Sequence, residues 1–218
     1  MQFVLSAPGL HWSDGWFLLQ GALNTLWVTA VAGTFGTLAG CVLGWMRQRS
    51  IALRVLTTPY IDVVRSVPLV IQLVLANSFL SLAGFTFDTF WLCVMVLSSS
   101  MAVVTSEVVR AGLASVPANF CRSARSLGMS GLQEFIHVSA PLALRTSFAA
   151  WVGLLLGLAK DSALVSVVGY VEYMKSSQIL ITRTNEALPL LMGVGLFYFV
   201  ICYPVSRLSV ALERRMAL

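Results

Sequence analysis

Five stretches of the chain, near residues 19–46, 68–85, 90–109, 147–168 and 188–210, run almost without charge and are separated by polar segments. Apolar positions follow one another within them, without the strict alternation of a barrel strand. Lipid leaves only helices and closed barrels as spanning structures. A hydrocarbon core about 30 Å thick takes roughly 20 residues of helix, so the pattern predicts about five transmembrane helices. The expected fold is all-α, a polytopic membrane bundle forming one domain over residues 1–218. In the first run Gly33, Gly36, Gly40 and Gly44 recur, with Gly36 and Gly40 at GxxxG spacing. Such spacing lets another backbone approach, for helix packing or dimerisation.

The polar segment 119–145, NFCRSARSLGMSGLQEFIHVSAPLALR, interrupts the apolar pattern most sharply. Asn119 reads as an N-cap, 120–127 as a short helix, Gly128 as a left-handed terminus, and 131–139 as a second helix ending before Pro141. Two short helices joined at Gly128 make a protruding elbow.

Composition agrees with the pattern: 58% hydrophobic and 11% charged residues, with a mean hydropathy of +0.85, lie outside the range of soluble domains. Basic residues then set an orientation. Arg47, Arg49, Arg54, Arg65, Arg110, Arg122, Arg125, Arg145, Arg207, Arg214 and Arg215 all fall on the elbow's side of the predicted spans, while Lys175 and Arg183 fall on the other and Lys160 within a span. The excess of positive charge marks the cytoplasmic side, which puts the N-terminus outside and the elbow and C-terminus inside. A net charge of +5 is accounted for by this topology, and no basic tract with interleaved aromatics points to nucleic acid. The opening MQFVLSAPGLHWSDGW lacks the basic region of a cleaved signal, and His11, Trp12, Trp16 and Trp27 suit an interfacial belt.

Chemistry on the chain itself is sparse. Cys41, Cys93, Cys121 and Cys202 form no CxxC or Cys/His ligand set, His11 and His137 stand apart, and GxSxG, HExxH and GxxxxGK[ST] are all missing. Neither a metal site nor a disulfide is expected, and the chain does not read as an enzyme; any ATP that powers it binds another polypeptide. Lys160-Asp161 is the exception, two opposite charges in GLLLGLAKDSALVSVVG, each costing at least about 2.5 kcal/mol inside a membrane. Adjacent helical positions point about 100° apart, so each needs another partner or a water-filled cavity. Lining one cavity, they complement a zwitterion, Lys160 facing an α-carboxylate and Asp161 an α-amino group. Alternatively they tie helices together through groups such as Glu107. Glu107 and Arg110, three apart on one helical face, read as a structural pair. Gln72 and Asn77 either face a path or bond between helices.

SARSLGM, followed by Ile136 and the Ala140-Pro141 step, resembles the EAA loop of ATP-binding cassette (ABC) importer permeases, in particular the polar amino acid (histidine/glutamine) permeases with their MetI-like fold. LAKDSALVSVVG is similar to that family's LLKDTSLASVIG, VVRSVPLVIQL to its RGTPLLVQ, and SEVVRAGL to its AEIFRGGI. The resemblance implies a coupling role toward an ATPase for Arg122, Ser123, Ala124, Arg125, Gly128 and Pro141, and a place by the translocation path for Lys160 and Asp161. It implies a non-catalytic permease subunit of a binding-protein-dependent importer of polar amino acids in a bacterial inner membrane. Its partners would be an ABC ATPase dimer carrying ATP and Mg, a second permease subunit of the same or a different chain, and an extracytoplasmic amino acid-binding protein. The chain departs from the family where Arg122 replaces the usual Glu and Ser123 the usual Ala. An ion-coupled secondary carrier and a membrane scaffold or sensor are the rival classes.

Overall fold

The computed structural model describes residues 10–216, with side chains to residue 214. The first nine residues of the opening segment and the Arg215 side chain lie outside the described residues. All described secondary structure is helical: α1 (Trp12–Arg49), α2 (Ile51–Ser66), α3 (Leu69–Leu82), α4 (Thr89–Ser115), α5 (Ala118–Ser126), α6 (Gly131–Glu134), a π turn (Phe135–Ser139), α7 (Ala140–Asp161), a 3-10 segment (Ser162–Val168), α8 (Tyr173–Thr184) and α9 (Ala187–Met216). Four helical runs are long and apolar enough to cross a membrane, and the bent pair α2–α3 makes up to five.

Several expected boundaries are corrected. The polar stretch after the first span is the helix α2, and α3 alone has 14 residues, about 21 Å at helical rise, too short to cross by itself. The two meet at a bend of 106°. Pro68 causes it: proline disfavours helical backbone in the residue before it and cannot donate, so α2 ends at Ser66 and α3 restarts on the Pro68 carbonyl. Pro117 does the same beyond α4. It stands at the N-cap of α5 with extended backbone, and Asn119, expected there, is already the second helical residue.

The chain forms two compact units. One gathers α1 up to Gly33 with Val67–Leu97 and Gly157–Pro204; the other gathers Thr34–Ser66, Ser98–Leu156 and α9 from Val205. In the second, α1 lies parallel to α4, with Gly36 against Met101 and Gly40 against Thr105. A Cβ at those two glycines would come within 2.6 Å and 2.5 Å of the Met101 and Thr105 Cβ atoms, so the GxxxG face is spent on packing within the chain. In the first unit, α8 lies antiparallel to α1: Asp14 meets Arg183, Gly21 meets Ser176, and Thr25 meets Glu172.

Candidate functional site

The elbow is built by three local devices. Gly128 ends α5 at φ +86°, a left-handed conformation that any Cβ would strain, and its N–H closes on the Arg125 carbonyl. Ser130 then opens α6 with a capping box: its hydroxyl accepts from the Gln133 N–H while the Gln133 side chain accepts from the Ser130 N–H. Lastly, the second arm runs through Pro141, correcting the expected stop. The Ala140 N–H reaches back to Phe135 O, so the turn is widened to i→i−5 just where Pro141 has no N–H for His137 and its ring would crowd that carbonyl. Gly131–Val168 is therefore one helical run, holding the elbow's second arm and Lys160-Asp161 alike.

Ala124 faces inward, 5% exposed, where α5 packs on α6 and the π turn. Arg122, Ser123, Arg125 and Gly128 are exposed. A groove of about 580 Å³ is lined by Cys121, Arg122, Arg125, Ser126 and Glu134, and Ser139 donates to the Glu134 carboxylate. Phe120, Leu127, Leu132 and Ile136 also stand exposed on the elbow. Short helices with protruding arginine and apolar side chains can seat in a partner's groove.

Glu107 takes two arginines. Arg110 reaches its carboxylate at 2.9 Å along α4 and Arg47 of α1 at 2.5 Å, the latter only 5% exposed. Lys160 and Asp161 end α7, where the helix tightens into the 3-10 segment. Both are exposed, and neither side chain has a hydrogen bond or ion pair among the described residues. α3 packs against that 3-10 segment. On α3, Asn77 is exposed and the Gln72 amide donates to Val67 O at 2.8 Å, bracing the bend before Pro68.

Sequence reasoning missed α8 and the residues that fasten it. Asp14 and Arg183 form a buried ion pair, 4% and 7% exposed. Glu172, fully buried, caps α8: its carboxylate accepts from the Lys175 N–H at 2.7 Å, the Met174 N–H at 2.8 Å and the Thr25 hydroxyl at 3.3 Å. Burial pushes the Glu172 carboxyl above its usual range, against the pull of those amides. A usable signal was the lone acid before YMKSS, since acidic groups favour helix N-termini.

Residues 36–218 match the family described as binding-protein-dependent transport system inner membrane component. The arginine transport system permease protein ArtQ of Bacillus subtilis is 30% identical over 92% of each chain. The glutamine transport system permease protein GlnP of Escherichia coli is 28% identical over 94% of this chain and 97% of its own. Among solved structures, an amino acid ABC transporter crystallised with histidines superposes with a TM-score of 0.83 at 28% identity, covering 91% of this chain and 94% of that one. The inward-facing MetNI methionine ABC transporter shares the fold, with a TM-score of 0.81 at 22% identity over 95% and 99% of the two chains.

Proposed function

The chain belongs to the family of binding-protein-dependent transport system inner membrane components, and from that premise we propose that its cargo is a polar amino acid held between Lys160 and Asp161. It is a permease subunit of an ABC importer and no enzyme itself; ATP is hydrolysed on a separate chain. The single observation that carries the substrate reading is the pair of opposite charges left open where α7 ends. A membrane-embedded ammonium and carboxylate without internal partners need an outside counter-charge, and a zwitterion supplies both.

The elbow couples this subunit to the ATPase through Arg122, Ser123, Ala124, Arg125, Gly128 and Pro141. Its arms are rigid, fixed by the capping box and the π turn, so an ATPase dimer that prefers one arrangement of the elbow shifts the permease toward it. ATP and Mg bind that dimer, and an extracytoplasmic binding protein delivers the amino acid. The N-terminus lies outside and the elbow and C-terminus in the cytoplasm, as the basic residues prescribe. Two permease subunits enclose the path. Arg122 in place of the usual acidic residue favours a second, different permease that keeps the acid; a purified complex holding two copies of this chain alone rejects that pairing.

The deciding experiment is ATP-dependent uptake of a labelled amino acid panel by proteoliposomes carrying this chain with its co-purifying subunits and binding protein. Lys160→Ala is expected to abolish uptake with the complex still assembled. Unchanged uptake by that variant reduces Lys160-Asp161 to packing, and no uptake by the wild type removes the amino acid reading.

A further inference from the structure

The cationic surface of the elbow extends beyond its own segment. A Cβ placed on Gly131 would lie 3.3 Å from the Arg125 Nη1 and 3.7 Å from the Arg49 Nη2. Two guanidinium groups from separate stretches of the chain thus converge on one bare point, their nitrogens within about 7 Å of each other. Arg49 is held there: it stacks on the Trp45 ring at 5.5 Å, and Trp45 in turn packs on Phe135 of the π turn at 5.9 Å.

Neither arginine, nor the neighbouring Arg122, has a carboxylate within ion-pair distance among the described residues. Glu134 is the one acid lining the adjoining groove, and Ser139 engages its carboxylate. By contrast, Arg47, Arg110 and Arg183 are each closed by an acid of this chain. Holding like charges together without a counter-ion is unfavourable, and a bound anion reverses the sign of that interaction. Planar forked donors suit a carboxylate, which they grip in two-point fashion.

We propose that Arg49 and Arg125 form a two-guanidinium clamp over Gly131 that takes a carboxylate side chain of the ATPase subunit, with Arg122 adding to the field. The proposal rests on the reading of the elbow as the ATPase dock. It adds Arg49, from the end of the first helix, and it fixes the chemistry of the partner's groove as acidic. A protein carboxylate is favoured over a lipid phosphate because the point lies on the exposed elbow already assigned to that partner. Gly131 carries no side chain that would crowd the Arg125 guanidinium out of this position.

The test is the affinity of the co-purifying ATPase for this permease in nanodiscs of neutral phospholipid, at low and high salt. Arg49→Ala and Arg125→Ala are each expected to weaken binding roughly fivefold at low salt, the upper range for an exposed ion pair. Salt is expected to shrink both losses, and the double variant to lose less than the product because one carboxylate is shared. Arg49→Lys, which keeps the charge and loses the fork, is expected to fall between. All variants should melt with the wild type. Wild-type affinity in Arg49→Ala, or losses that multiply independently, overturns the clamp. Variants that lose retained anionic phospholipid while keeping full ATPase affinity identify a lipid headgroup instead and also overturn it. A wild-type permease that binds no ATPase at all removes the coupling reading itself.

Discussion

Two places in this chain put opposite charges into apolar helix, and they end differently. Around Glu107 the charges close on themselves: one carboxylate holds Arg47 and Arg110. At Lys160-Asp161 they stay open, on successive residues at the end of α7. Both arrangements carry the cost of ions in a membrane protein, but only the first recovers it internally. Closed clusters therefore read as architecture, and open ones as sites that wait for something else. Asp14–Arg183 belongs with the closed clusters, and Arg49 with Arg125 belongs with the open ones.

This contrast makes separable predictions. Asp14→Ala should cost the most stability, about 3 kcal/mol, because it strips the carboxylate from an arginine that is 7% exposed and removes one anchor of α8. Thermal unfolding in detergent measures it. Glu107→Ala should cost somewhat less, about 2 kcal/mol, since that carboxylate is 27% exposed. Replacing Arg47 and Glu107 together by apolar residues of similar volume should restore most of the loss. A smaller effect is expected from pH. Burial raises the Glu172 carboxyl above the ordinary 4.5, so the folded state keeps a proton that the unfolded chain has already lost. Stability then falls as pH rises from 4.5 through the raised value, and Glu172→Gln should flatten that descent. Smallest of all is Lys160→Ala, expected within about 0.5 kcal/mol of wild type in the same unfolding assay. A large loss there would move Lys160 into the closed class.

The elbow was legible because its signals are local. Gly128 acts within its own turn, so the helix–break–helix reading needed no tertiary knowledge; the Ser130–Gln133 capping box is equally local but was seen only in the structure. Pro141 shows the limit. Proline usually ends a helix, but a single widened turn satisfies the backbone around it, and nothing in FIHVSAP distinguishes the two outcomes before the helix is seen. α2 and α8 were missed for a different reason. They are shorter and less apolar than the spans, so a search for membrane-length runs passes over them, although both pack buried residues against neighbours.

Length and hydropathy alone determined that this chain is a helical membrane bundle, because a lipid core accepts no other use of such runs. Local residue order likewise determined that a polar elbow interrupts them, and the run of charges named Lys160-Asp161 as costly. Which charges find partners was decided only by tertiary structure. Asp14 and Arg183 stand 169 residues apart, and their meeting depends on the register in which α8 lies along α1. That register is set by the fit of many side chains at once, such as Ser176 against Gly21 and Thr25 against Glu172, which no single stretch of sequence contains.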